Sequence, residues 1–207
     1  MKKAEQFYRE QGYQMIAGID EVGRGPWAGP VVAAAVILPA RFPTQNLRDS
    51  KKLSAKARDE LYDLIAANAD WGVGMISAAI IDEKGIVAAI QAAMAMAVKD
   101  LENPPDFLLI DSNSKYKFAQ PYVAIIQGDA QIASIAAASI MAKVTRDRVM
   151  IALSRRYPQY GFERHKGYGT KEHQDALKQY GGCEIHRFTY QPIFQILTDL
   201  ERQQISA

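Results

Sequence analysis

A single cysteine, Cys183, among 207 residues excludes an internal disulfide framework and fits a reducing compartment. Long apolar runs are missing as well. Val31 to Leu38 and Ile86 to Val98 both fall short of the roughly 20 residues that a membrane-spanning helix needs. The opening MKKAEQFYRE has no apolar signal-peptide core, so a cytoplasmic protein without membrane association is expected. The three histidines, His165, His173 and His186, do not combine with Cys183 at the spacing of a closed zinc site. Neither a Walker lysine motif nor a G-x-S-x-G nucleophile elbow occurs. Charge of one sign is scarce: 25 basic residues stand against 23 acidic ones, net +2, too mild a balance to mark a nucleic-acid binder by bulk charge.

What is present is enough apolar material for a core, 48% of residues, in a chain of one-domain length. No repeat, low-complexity tract or linker interrupts it. The expectation is a single domain over 1–207, with about 1–14 as an N-terminal appendage and about 157–207 as a C-terminal loop and helices.

The most informative stretch is GIDEVGRGPWAGP, Gly18 to Pro30. Met15 to Ile19 read as a buried strand, and the glycines and prolines after Glu21 forbid its continuation, so Asp20 and Glu21 are expected at a strand end. Side chains alternate along a strand, so both acids serve one site only if the strand stops there or one contributes through its backbone. Arg24, between Gly23 and Gly25, lies where backbone can approach a ligand without a Cβ in the way. A solvated acid pair before a turn is the plainer reading of these residues alone.

Val31 to Leu38 makes a second strand, antiparallel to the first. Ser54 is placed to cap a helix with Ala57, Leu61, Leu64 and Ile65 on one face, leaving Lys51 and Lys52 in the loop before it, as phosphate contacts or as ordinary surface charge. Trp71 to Ile81 reads as a strand, followed by an alanine-rich helix capped by Asp82 and running to about Leu101. Phe107 to Ile110 is a short apolar run ending on Asp111. Tyr122 to Ile126 is another, leading through Gln127 and Gly128 to Asp129, which stands as N-cap of a helix from Ala130 to about Arg156. Bases cluster from Lys143 to Lys171, either as a solvated helix surface or as a basic face. Thr170 caps a short helix to Tyr180, and a last helix follows Pro192.

Asp20, Glu21, Asp111 and Asp129 thus end separate segments that a fold can bring together. Gathered unpaired, four carboxylates repel. Oxygen ligands suit hard cations, and two Mg²⁺ or Mn²⁺ ions relieve that repulsion while stabilising the attacking and leaving oxygens of phosphoryl transfer.

The motifs GIDEVGRGPWAGPVV, DSKKLS, LLIDSN, QGD, AAASIMAKVTRDR, HKGYGTKEH and IHR, in this order, resemble bacterial ribonuclease HII, the type 2 ribonuclease H family, from about Ile16 to Leu200. The resemblance implies an α/β ribonuclease H-like fold, a central mixed sheet flanked by helices with a C-terminal helical part. It implies an endonuclease that cuts the RNA strand of RNA/DNA hybrids and the 5′ side of single ribonucleotides in duplex DNA, leaving a 3′-hydroxyl and a 5′-phosphate. Asp20, Glu21, Asp111 and Asp129 become the metal-binding acids. Gly23, Arg24, Gly25 and Tyr168 become the readers of the sugar. Lys51, Lys143, Arg146, Lys166 and Arg187 become phosphate contacts. Ser139 matches the family serine beside the site, with buried helix packing as its other reading. Ser112 departs from the pattern, following Asp111 where the family commonly has glycine.

Ribonuclease HIII is the nearest rival, but only 17 residues precede Gly18 and Arg24 stands where that family has lysine. A nucleic-acid binder without catalysis has no use for the full set of acids, and a Mg²⁺-dependent phosphatase none for the basic face. A monomer is the default expectation, and the C-terminal QILTDLERQQISA shows no clear pattern for binding a replication clamp.

Overall fold

The computed structural model describes residues 2–47 and 54–205, so DSKKLS except for its final Ser54, and with it Lys51, lies outside the described residues. Two compact units are formed. One is drawn from Met1–Val22, Val32–Met75 and Ile90–Thr145, the other from Gly23–Val31, Ile76–Ala89 and Arg146–Ala207.

The first unit holds the sheet. Strands β1 (Ile16–Val22), β2 (Val31–Ile37), β3 (Asp70–Ile76), β4 (Phe107–Asp111) and β5 (Tyr122–Ile125) lie in the order β3-β2-β1-β4-β5. β1 is antiparallel to β2 and parallel to β4, which is parallel to β5, so the sheet is mixed. β2 reads VVAAAVI and is buried along its whole length, as a strand covered on both faces requires. The N-terminal appendage contains a helix, α1 (Lys2–Glu10), that bonds inward: Glu5 accepts the backbone N–H of Ser134 at 2.9 Å. Helix α2 (Ala55–Asn68) starts on Ser54, whose side chain accepts the Ala57 N–H.

Three boundaries differ from the expectation. β1 runs on through Asp20, Glu21 and Val22, because β2 supplies partners in Ala34, Ala33 and Val32. The expected strand to Ile81 stops at Ile76. Ser77 caps helix α3 (Ala78–Lys84), and Gly85, at φ +79°, separates it from α4 (Ile86–Lys99). Asp82 is therefore no cap; its carboxylate accepts the N–H groups of Phe188 and Thr189 at 2.7 and 3.1 Å. The long helix is also divided, into α5 (Gly128–Gln131) and α6 (Ala133–Arg156), with Ile132 extended between them.

One core of the first unit joins Val32, Ala34 and Val36 of β2 to Ala133, Ala136, Ala137, Ile140, Met141 and Val144 of α6. The alanines let helix and sheet approach closely. A Cβ on Gly18 of β1 would stand 2.2 Å from the Ser134 carbonyl carbon, so this strand position admits glycine alone. The second unit has its own core around Met150, Tyr160, Phe162, Leu177 and Ile193. It contains helices α7 (Phe162–His165), α8 (Lys171–Tyr180), capped by Thr170, and α9 (Gln191–Ile205). No helix among the described residues is long and apolar enough to cross a membrane.

Candidate active site

In the first unit, Asp20, Glu21, Val22, Arg58, Asp111, Ser139, Ile140 and Lys143 line one cavity of about 370 Å³. Its acids come from the neighbouring strands β1 and β4, whose parallel register pairs Ile19 with Ile110 and so delivers Asp20 and Asp111 side by side. Asp20 Oδ1 accepts the Glu21 N–H at 2.7 Å, and the Asp129 N–H donates to Asp111 Oδ2 at 3.3 Å. Asp129 is buried in the first turn of α5, with Gln127 rather than itself at the cap. The structure thus brings three of the four expected acids to the cavity and binds the fourth to it through its main chain.

Asp20 shows the electrostatic consequence. Burial, above all, pushes its carboxyl well above the ordinary carboxylate range, and the charges of Glu21 and Asp111 push the same way, while a hydrogen bond with Ser139 and the Glu21 N–H oppose them. A carboxyl so disfavoured as an anion is stabilised by a cation at the same place. The donor set is all oxygen, which fits Mg²⁺ or Mn²⁺ rather than zinc. Among the described residues, no three His, Cys, Asp or Glu side chains are drawn together into a ready-made metal cage. Ser139 lies at the site and not merely in helix packing. Ser112 suits its turn without glycine: its hydroxyl accepts the Ser114 N–H at 3.0 Å, and its φ is not positive.

Arg58 was missed from the sequence. It follows the cap by one turn and shares a face with Leu61 and Ile65, both buried. A cation on an otherwise buried stripe at i, i+3 and i+7 was the available signal.

The other expected residues belong to the second unit, where Gly23 to Pro30 is held by its carbonyls. Arg146 donates to the carbonyls of Pro30, Lys166 and Ala28 at 2.9, 3.0 and 3.1 Å. Arg187 donates to Gly29 and Arg24 carbonyls, and the Tyr190 hydroxyl also reaches the Arg24 carbonyl. Both arginines have 0% exposure. That corrects their expected role: guanidinium hydrogens spent on main-chain oxygens and sealed from solvent position the loop and do not meet phosphate. Burial, followed by the like charge of Arg187, lowers Arg146 to about 10, and burial also lowers Arg187. Arg146 still keeps its charge at neutral pH.

The same loop pairs with its surroundings through Trp27 N–H to Gly167 O, Gly29 N–H to Ile185 O and Arg187 N–H to Trp27 O, each 2.8 Å. Gly23 adopts φ +99°, and a Cβ there would meet Arg146 Nε at 2.5 Å. Arg24 and Gly25 are exposed. A Cβ on Gly25 would stand 3.8 Å from Cε1 of Tyr168, whose ring is 43% exposed. Gly25 and Tyr168 are therefore brought together. Lys166, in the left-handed region at φ 52°, turns its ammonium to the Glu163 carbonyl.

A mixed sheet with carboxylates at the ends of adjacent strands defines a class, the nucleases of ribonuclease H-like fold. Among solved structures, ribonuclease H2 from Pyrococcus horikoshii OT3 superposes with a TM-score of 0.77 at 26% identity, covering 91% of this chain and 100% of that one. RNase HII from Archaeoglobus fulgidus, solved in complex with PCNA, gives 0.73 at 25% identity, covering 88% and 96%. The family model for Ribonuclease HII matches residues 17–193. Ribonuclease HII of Bacillus subtilis (strain 168) is 50% identical over 194 residues, 93% of this chain and 76% of its own length. The chain belongs to the ribonuclease HII family, and is a hydrolase that cuts RNA in RNA–DNA hybrids.

Proposed function

We propose that the protein also cuts duplex DNA at single embedded ribonucleotides, hydrolysing the phosphodiester bond on the 5′ side and leaving a 3′-hydroxyl and a 5′-phosphate, so that it starts their removal. The observation that carries this reading is the carboxylate-lined cavity between β1, β4 and α6, in a chain of this family. Asp20, Glu21, Asp111 and Asp129 would hold Mg²⁺ or Mn²⁺, with room in an all-oxygen donor set for two ions. When bound, the ions supply positive charge to the attacking and leaving oxygens. Ser139 keeps the Asp20 carboxyl oriented through its hydrogen bond. Lys143, on the cavity wall, neutralises phosphate charge, as do Lys166 and Lys51.

Choice of sugar belongs to Gly23, Arg24, Gly25 and Tyr168. A 2′-hydroxyl is donor and acceptor at once, and a backbone bounded by glycines offers both partners in a space closed to side chains. The Tyr168 ring packs on the neighbouring sugar and favours the step from RNA to DNA; its nearness to Gly25 supports this role. The loop carbonyls held by Arg146 and Arg187 support it too, since a reader of one hydroxyl group must be held in place. Phosphate contacts carry no base sequence, so specificity is for sugar. The free Cys183 agrees with work in the cytoplasm.

Mapping the products of a 5′-labelled DNA duplex containing one ribonucleotide tests the reading. The expected product ends one nucleotide short of the ribonucleotide and is extended by a polymerase without end repair. A cut on the 3′ side, or an end that a polymerase cannot extend, would overturn it.

A further inference from the structure

Three buried histidines of the second unit remain outside this account, and their protons can be assigned one by one. A backbone N–H only donates, so a ring nitrogen facing one accepts and carries no proton. The Cys183 N–H points at His186 Nδ1 from 2.8 Å. His186 therefore carries its proton on Nε2, which lies 2.9 Å from His173 Nε2. His173 must accept there, so its own proton is on Nδ1, 3.0 Å from the carbonyl oxygen of Tyr168. The Cys183 carbonyl, 3.2 Å from His186 Nδ1, gives no alternative. It already accepts the His186 main-chain N–H at 2.9 Å, and a proton on Nδ1 would be driven against the Cys183 N–H. His165 is fixed in the same way, accepting from the Gly167 N–H at 3.2 Å and donating to the Tyr160 carbonyl at 2.7 Å.

Every ring nitrogen of the three is thus in use, and each imidazole is neutral. The surroundings agree. His173 and His186 have 0% and 1% exposure, with Trp27, Tyr160 and Phe162 rings packed around them. His165 stacks on His173 with centroids 4.7 Å apart. Burial, above all, lowers His173 and His186 to about 4 and the nearby imidazoles add to it, while main-chain hydrogen bonds at Tyr168 and Cys183, and at His173 the exposed Glu172, oppose it.

The Tyr168 carbonyl is the end of this chain of bonds. It accepts the Thr170 N–H at 2.8 Å, and His173 occupies its second lone pair. Gly167 and Gly169 flank Tyr168, so the segment has few other side chains with which to anchor itself. We infer that His173 and His186 are positioning residues for Tyr168: a one-way relay of neutral imidazoles, running from the Cys183 N–H to the Tyr168 carbonyl, fixes the backbone from which the sugar-packing ring projects. The inference rests on the role proposed above for Tyr168. It gives two histidines without metal or catalytic work a part in choosing the substrate.

The test is a kinetic double-mutant cycle, with kcat and KM measured on a lone ribonucleotide in duplex DNA and on a long RNA/DNA hybrid. His173→Phe keeps a ring and removes the donor. His173→Asn keeps an N–H on the side of Nδ1 and guards against a Phe variant that does not fold. His173→Phe is expected to lower kcat at the lone ribonucleotide roughly tenfold more than on the hybrid, as a misplaced positioning group does. His173→Asn should recover most of that loss, and His173→Phe should add nothing in a Tyr168→Ala background. Equal losses on both substrates, or additive losses in the double variant, would make the relay purely structural and overturn the inference. If Tyr168→Ala itself leaves substrate choice unchanged, the role of Tyr168 falls and takes the inference with it. If Tyr168→Ala changes the choice and neither His173 variant does, the inference alone falls.

Discussion

Arg146 Nε donates to the carbonyl oxygen of Pro30 at 2.9 Å, across 116 residues of sequence. Its other two nitrogens hold Lys166 and Ala28, so one buried cation binds together two turns that flank the exposed Arg24 and Tyr168. Arg146→Ala leaves three carbonyls without donors and a cavity in place of the guanidinium. The expected cost is about 3–5 kcal/mol, and Arg146→Lys recovers only part, because an ammonium cannot reproduce the planar fork. Urea unfolding reads both; a midpoint unchanged by Arg146→Ala would contradict the assignment.

Lys143 is the contrasting base, on the cavity wall and half-buried. Lys143→Ala should weaken binding of a hybrid and reduce the slope of log K against log salt by about one, the signature of one lost phosphate contact. An unchanged slope would remove Lys143 from the phosphate contacts.

Asp20→Asn and Asp111→Asn keep shape while removing the charge that holds a cation. Turnover should fall by about a thousandfold or more with the circular dichroism spectrum unchanged. Asp20→Asn should leave the thermal midpoint equal or higher, since burial and two neighbouring acids already disfavour the Asp20 charge. Retained activity in both variants would take these residues out of the site.

What could be read from the chain was decided by local chemistry. Asp111 was legible because four apolar residues end on it, and Ser54 and Thr170 because their side chains close the helix starts themselves. The Ser77 cap was not, since Ser77 and Asp82 are both cap-forming residues in an alanine-rich stretch with no clear period, and only the distant N–H groups of Phe188 and Thr189 claim Asp82. Arg146 and Arg187 read as surface bases because their carbonyl partners sit far away in the chain. β1 extends past its acids for a similar reason: its last residues are held by β2, not by their own propensity.

The neutral histidines carry a pH dependence. His173 and His186 lie at about 4 in the native state, whereas an unfolded histidine titrates near 6.5. A lowered native value means that their contribution is whole above about pH 6.5 and is lost as pH falls from there towards 4, because the unfolded chain takes up protons that the native state refuses. The loss is up to about 3 kcal/mol for each. Urea midpoints measured between pH 7.5 and 4.5 should fall accordingly, and a flat series would contradict neutral, buried rings.

In the function proposed above, the acids at the ends of β1 and β4 serve a cut chosen by sugar. Incubating duplex DNA that carries one ribonucleotide with the protein, in Mg²⁺ or Mn²⁺ and beside an all-DNA duplex, tests it most directly. A single cut on the 5′ side of the ribonucleotide is expected, dependent on the added metal and absent from the all-DNA control. No cut at the ribonucleotide, or an equal cut in the control, would contradict it.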